Sequence, residues 1–408
     1  MHGPATPPST PAPALWAGRR WTLALLLAGL GSIGPFAVDT YLPAFEGIGA
    51  AVGATPVQMQ QTLAVYLAAF ALMNLFHGAL ADSFGRRPVV LVNLGLFALA
   101  SAGCALAQDI GTLLGMRALQ GLSAGAGMVV SRAIIRDLFA PHDAQRMMSQ
   151  VTIFFGVAPA VAPLVGGLLF VAAGWSAIFW FLAALSAGLA LLMWARLPES
   201  LPAEQRQPFA PASLVEGYGG LVRSPRFVML VLASAVPFNG MFLCVLAAPV
   251  FLGTHLCLAP TQFFWFFAAS VAGIMAGAWL SGRMAGRVPP RAQLRLGFAL
   301  MTVVVLANVA LNLALEPHPA WSIWPVTLYA LGWSLTAPVV TLLVLEQAPT
   351  RRGMAASVQA SLGSAVNAGV AAVVVPLAMV SATGLALASA AALALGLAAW
   401  VAVERRVT

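Results

Sequence analysis

Apolar residues run in twelve stretches, each near the roughly 20 residues that a helix needs to cross a bilayer, with short polar gaps between them. The first six run approximately Trp21 to Phe45, Val57 to Ala81, Pro88 to Ala107, Ile110 to Phe139, Met147 to Ala172 and Trp175 to Leu197. The second six run approximately Phe227 to Leu252, Thr261 to Ala285, Leu294 to Leu315, Trp321 to Leu345, Gly353 to Val380 and Thr383 to Val403. One long polar stretch, Pro198 to Arg226, separates the sets and reads as a linker. The pattern predicts an all-α integral membrane protein of twelve spans in two six-helix halves, residues 21–197 and 227–403. Residues 1–20 and 404–408 are the expected tails, the first rich in Pro and Ala and expected to be disordered.

The halves share a local repeat. Gly78-Ala-Leu-Ala-Asp-Ser-Phe-Gly-Arg-Arg87 after the second stretch aligns with Ala278-Trp-Leu-Ser-Gly-Arg-Met-Ala-Gly-Arg287 after the eighth, and the second copy lacks the acid. Duplicated sets of six spans are the plan of a secondary transporter, with its site near the midplane between the halves.

Charge orients the spans. The chain has no Lys, and nineteen of its twenty Arg lie before the first stretch, around the ends of even-numbered stretches or in the linker; gaps after odd-numbered stretches hold none. Short basic loops stay cytoplasmic, so both termini and the linker are expected inside. The Arg pair at Arg19 and Arg20 resembles an export signal, but the stretch that follows runs on without a clear cleavage site and is read as an uncleaved span.

Composition agrees. Of 408 residues 61% are hydrophobic and 8% charged, too few polar groups to cover a soluble globule. The net charge of +8 is spread over loops without aromatic interleaving, which argues against nucleic acid. Cys104, Cys244 and Cys257 lack metal-ligand spacing and read as packing residues. No phosphate-binding loop of a nucleotide-driven pump occurs. Paired catalytic carboxylates, a metal cluster and a nucleophile-base set are also missing, which argues against a membrane-embedded enzyme. No cofactor or metal is called for.

Three constellations carry candidate chemistry. In the turn after the second stretch, Gly78 allows close helix approach, Gly85 permits a sharp turn and Asp82 can bond helix amides or pair with Arg86 or Arg87. Asp137, at the inner end of the fourth span, can pair with Arg86. The twentieth Arg, Arg117, lies inside the fourth stretch as Arg-x-x-Gln120-Gly121, about 10 Å below the outer surface by helix rise. A cation there costs at least ~2.5 kcal/mol unless it snorkels, bonds carbonyls of span one, pairs or faces water. Asp39, the only acid in the first stretch, lies at comparable depth; it either pairs with Arg117 or caps the helix near water. The fifth stretch holds Gly156, Pro159, Ala162, Pro163, Gly166 and Gly167, which permit kinking and close approach or serve as ordinary small-residue packing.

The Asp82 turn resembles the loop signature of the major facilitator superfamily, with Ser83 where the usual Arg stands. The resemblance implies that Asp82 braces the start of span eleven and latches an outward-open state. Arg117-x-x-Gln-Gly resembles the superfamily motif whose Arg is implicated in proton movement. The fifth stretch is similar to the motif of its antiporters, with Ala162 in place of Gly. Asp39-x-Tyr-Leu-Pro43, Ala158-Pro159 with Ala162-Pro163, Gly174-Trp-Ser-Ala-Ile-Phe179, Leu197-Pro-Glu-Ser200 and Arg352-Gly-Met-Ala-Ala-Ser357 resemble the bicyclomycin-resistance and chloramphenicol-efflux branch.

That resemblance implies a major facilitator fold and a monomeric, proton-coupled exporter of small drug-like molecules in a bacterial inner membrane. By resemblance Tyr41, Gln120, Phe238, Asn239, Phe242, Tyr329, Trp333, Gln359 and Asn367 are candidates for the substrate cavity, with interhelical packing the alternative for each. His77 is either a proton relay or a packing residue. Nutrient uptake by symport is the competing reading.

Overall fold

The computed structural model describes residues 20–139, 141–348 and 352–404. The expected tails, and with them Arg19, Arg351, Arg405 and Arg406, lie outside that set, apart from Arg20 and Glu404. The described chain is helical, with no strand. Eleven helices are long and apolar enough to cross a membrane, and counting Pro56–Asn74 with His77–Phe84, bent by 47°, as one span gives twelve. Inner and outer below denote the Arg-bearing and Arg-free ends.

Span one is Arg20–Asp39, then a break at Thr40 and Tyr41, the short turn Leu42–Ala44 and a further helix Phe45–Ala51. The sequence pattern places its end at Phe45; Pro43 instead interrupts the helix, which resumes once its missing N–H is passed. Asp39 is therefore an internal hinge residue of a longer span.

Span two starts on a capping box, Thr55 with Gln58, and Pro56 at the first helical position. Span three is Arg86–Ala105, entered through Gly85 at φ 98°, a conformation that favours glycine. Span four, Ile110–Ala124 continued by Ala126–Leu138, is capped by Asp109. The Thr112 hydroxyl, then the Thr112 amide, hold that exposed carboxyl below the ordinary range.

Span five is Pro141–Ala173, begun earlier than the apolar pattern suggests, and span six is Ser176–Arg196. The linker holds a 3-10 turn, Ala203–Gln205, and one α-helix, Pro211–Val222. Spans seven to ten are Pro225–Leu246, Phe263–Met284, Pro290–Ala314 and Trp324–Glu346. Span seven is followed by a π-helical segment, Pro249–His255. Span eleven, Arg352–Ala378, contains a second at Val370–Val374, and span twelve is Ala382–Glu404.

The packing pairs repeat. Span two packs on four and three on six, as eight packs on ten and nine on twelve. Between the halves, two packs on eleven and five on eight, the contacts that exchange if a twofold relates the sets. Gly121 lies against the Tyr66 carbonyl in the first half and Gly273 against the Thr327 carbonyl in the second, so close that any Cβ would collide. Six exposed Trp form two belts: Trp21, Trp194 and Trp279 near the inner ends, Trp180, Trp265 and Trp324 near the outer ends.

Candidate translocation site

A cavity of about 330 Å³ lies between the halves. Its wall is mostly apolar, with Tyr66 and Phe70 from span two facing Phe238, Phe242 and Phe267 from spans seven and eight. Asp39 is the only charged residue in it, joined by Ser270, Ser364 and Asn367. The Asp39 side chain is buried at the span-one break, and its carboxylate has no hydrogen-bond or ion-pair partner among the described residues.

The fifth span borders the same place. Pro159 is part of the cavity wall, and Gly166 packs against the Thr40 carbonyl beside Asp39 so tightly that a Cβ would overlap it. Gly167 makes a similar approach to the Pro260 carbonyl of the other half. Ala162 and Pro163 are buried in packing, whereas Gly156 has open space beside it.

Arg117 is wholly buried and is held within the first half. Its Nη1 donates to the Ala37 carbonyl of span one at 3.0 Å and to Gln120 Oε1 at 2.8 Å. Its guanidinium carbon lies 4.7 Å from the Tyr41 ring and 4.4 Å from the Tyr66 ring, a double cation–π contact. Nε and Nη2 have no hydrogen-bond partner among the described residues. Gln120 Nε2 in turn donates to Ser101 Oγ at 2.8 Å.

The expected Asp39–Arg117 pair is not made. The two groups lie at one depth, as the Ala37 bond requires, but Arg117 is held against the Tyr41 and Tyr66 rings while Asp39 lines the cavity.

Several expected cavity residues are withdrawn from the wall by their own hydrogen bonds. Tyr41 is buried, its hydroxyl 2.7 Å from Thr62 Oγ1, and Gln120 serves Arg117. Tyr329 donates to the Pro237 carbonyl at 2.9 Å. Trp333 donates to the Ser234 carbonyl and backs Phe238 at 4.8 Å between ring centroids. Gln359 donates to Thr341 Oγ1 at 3.2 Å. Asn239 is buried and donates to Asn367 Oδ1 at 2.8 Å, so it positions the amide that does face the cavity. Phe238, Phe242 and Asn367 are in the wall. Tyr66, Phe70, Phe267 and Ser270 were missed; Tyr66 and Phe70, four apart on span two, were the available signal.

At the inner face, Arg86 joins two acids: Nη1 lies 2.6 Å from Asp82 Oδ1 and Nε 3.0 Å from Asp137 Oδ2. Glu199, in the stretch after span six, accepts the Arg86 and Arg87 amides at 3.0 and 3.2 Å, capping the positive end of span three. Arg87 donates to the Trp194 carbonyl at 2.6 Å. Gly78 and Asp82 line a second cavity of about 610 Å³, with Gly353 and Met354 of span eleven across it. His77 is buried, with Nε2 3.3 Å from Asn93 Oδ1.

The outer ends are joined instead. Gln60 Nε2 donates to the Leu246 carbonyl at 3.0 Å and Gln61 Nε2 to the Ala372 carbonyl at 3.1 Å, both across the halves. Each acceptor sits in or just before a π-helical segment, where the regular i to i−4 bonding is interrupted. These bonds join the halves at their outer ends, and among the described residues no hydrogen bond or ion pair links Asp82 to span eleven, which lies across the inner cavity from it.

Twelve spans, two matched sets and an inner turn built on Asp82 and Arg86 meet a sequence match to the Major Facilitator Superfamily over residues 22–372. The chain belongs to that superfamily. It is 32% identical to the uncharacterized MFS-type transporter YdgK of Bacillus subtilis, covering 83% of this chain and 84% of that one. It is 28% identical to a bicyclomycin resistance protein homolog of Haemophilus influenzae, covering 88% and 90%. It is 27% identical to multidrug resistance protein D of Escherichia coli, covering 87% and 89%. Among solved structures, a bacterial homolog of the human lysosomal transporter Spinster, inward-facing and occupied, aligns with a TM-score of 0.72 at 17% identity, covering 95% and 98%. The human organic anion transporter MFSD10 aligns with a TM-score of 0.64 at 19% identity, covering 96% and 100%. These two show the fold. The protein is a multi-pass major facilitator transporter with relatives named for drug resistance.

Proposed function

We propose that this transporter exports small, largely apolar drugs or metabolites from the bacterial cytoplasm in exchange for protons, with both termini inside and as a monomer. The observation that carries the reading is Asp39: one unpaired carboxylate in an otherwise uncharged aromatic cavity, pressed against the span-five motif. An ionised carboxylate in an apolar wall is costly unless something satisfies it. A proton does so by neutralising it; a substrate does so by hydrogen bonding or by positive charge. The two therefore compete for one group, which is the requirement for exchange.

In this scheme Asp39 takes a proton from outside and releases it inside as substrate enters. Arg117 acts through Tyr66 and the span-one carbonyl at Ala37, its fixed positive charge opposing a second cation at that depth. Asn367, held by Asn239, supplies the polar contact from the opposite half, and Phe238 and Phe242 supply the apolar surface. Asp82, Arg86, Arg87 and Asp137, with Gly78 and Gly85, form the inner latch that meets span eleven when the inner side closes.

A susceptibility panel in an efflux-deficient host selects a substrate. Everted vesicles with an imposed pH gradient then read its flux. Wild type is expected to accumulate the compound against its gradient and to dissipate ΔpH on its addition. Accumulation in intact cells instead of vesicles supports uptake by symport and sinks the export reading.

A further inference from the structure

The inner turn between spans eight and nine is the counterpart of the Asp82 turn and is built without its ion pairs. In the repeat alignment Gly282 stands at the place of Asp82 and Gly286 at the place of Arg86. Glu346, at the inner end of span ten as Asp137 is at the inner end of span four, has no ion-pair partner among the described residues. In place of a charge network there is a cleft of about 760 Å³, larger than the central cavity and lined only by the second half. Its counterpart beside Asp82 is flanked by the linker helix, whose Tyr218 hydroxyl bonds the Leu75 carbonyl. No described segment of the chain covers the cleft at spans eight to ten.

The cleft is amphipathic along the membrane normal. At its inner rim Arg287 lines it and donates to the Arg283 carbonyl at 3.2 Å. The Arg283 guanidinium is fixed 4.2 Å from the ring of exposed Trp279, an indole in the inner belt at headgroup depth. Deeper, the wall is Pro338, Val339 and Leu342, and Leu342 is open to lipid. Cations above an apolar furrow match a phospholipid with its phosphate at the rim and its chains below.

We infer that this cleft binds an anionic phospholipid of the inner leaflet, with phosphate oxygens between Arg283 and Arg287 and acyl chains along Leu342 and Trp279. Of the lining residues Arg287 and Glu346 carry charge, and the exposed Arg283 and Arg291, next in sequence to the lining residues Gly282 and Pro290, tip the flank of the rim to net positive, so the site favours a headgroup of net negative charge over a zwitterion. Glu346 faces the same cleft and limits how much negative charge it tolerates. The inference is independent of which compound is transported or in which direction.

The test uses the full chain in nanodiscs and detergent, with phosphatidylglycerol, phosphatidylethanolamine and soluble glycerol 3-phosphate as probes, read by native mass spectrometry and thermal shift. Saturable retention of phosphatidylglycerol is expected, about thirty-fold weaker in Arg283→Gln with Arg287→Gln. Glu346→Gln is expected to tighten it, and glycerol 3-phosphate to leave the melting temperature unmoved. Equal retention of phosphatidylethanolamine, a shift with glycerol 3-phosphate alone, or unchanged retention in a double variant with wild-type circular dichroism overturns the inference. If the double variant does not fold, salt decides on the wild-type chain: retention must weaken as ionic strength rises, and salt-insensitive retention overturns it.

Discussion

The two halves share a helix plan and differ in where they keep charge. The first half holds Asp39 and Arg117 in its interior and ties its inner turn together through Asp82, Arg86, Asp137 and Glu199. The second half has no charged residue in the middle of any span, and its inner turn is an open cleft. Its interior polar groups are neutral: Asn239 with Asn367, Gln293 with Ser281, and the hydroxyl of Tyr329 on a carbonyl. Duplication thus preserved the packing and not the chemistry. Under the proposed exchange, ion coupling belongs to the first half, while the substrate surface is shared by both.

The contrast is sharpest at Arg117. A wholly buried guanidinium with two unpartnered nitrogens is an expensive group to keep for stability alone. Arg117→Met is expected to abolish coupled transport in vesicles while leaving stability equal or higher, by up to about 4 kcal/mol in favourable packing. A variant that unfolds while residual molecules still transport would make Arg117 a structural residue and erase the division.

Next come the inner turns. Arg86→Ala strands the Asp82 and Asp137 carboxylates and is expected to destabilise the first half by about 3 kcal/mol, measured by thermal or denaturant unfolding. Arg287→Ala, at the matching turn, is expected to change stability by no more than about 0.5 kcal/mol. Equal losses would mean that the second turn carries a network as well.

Smaller effects are expected in the cavity. Asn367→Ala removes one neutral hydrogen bond, worth about 1 kcal/mol, and is expected to raise the KM for substrate severalfold with the proton stoichiometry unchanged. A changed stoichiometry would place coupling in both halves. Smallest is Asp109→Ala at the outer cap of span four. Because that carboxyl is held below its ordinary value of 3.8, its contribution is present above that pH and fades as pH falls below it. The melting-temperature deficit of the variant is expected to be slight at pH 7 and to vanish in acid.

The spans were legible because depth is written in the sequence by apolar length and by Arg placement. Rotation about each helix axis was not. Depth brings Asp39 and Arg117 level, and whether they pair depends on how spans one and four are turned. Tyr41, Tyr329 and Trp333 are cavity candidates by resemblance, and each pairs an apolar body with a polar tip. A backbone carbonyl in a neighbouring helix satisfies that tip as well as a substrate does, and no sequence signal separates the two cases. Span one was ended too early because apolar residues continue through Pro43, and the break that makes Asp39 a hinge residue is a local backbone event. The Asp82 turn was the most readable part, since its partners Arg86 and Asp137 lie at helix ends where turn chemistry is local. Glu199 lies far along the chain in the Leu197-Pro-Glu-Ser200 stretch, and nothing in the sequence marks its capping role at span three.

The central claim is that one carboxylate serves both proton and substrate, and proton release tests it most directly. A transported compound is added to purified protein in weakly buffered detergent solution, and the pH change is recorded for wild type and Asp39→Asn. The account expects stoichiometric release from wild type and none from Asp39→Asn, with the variant still folded. Equal release from both proteins would contradict it.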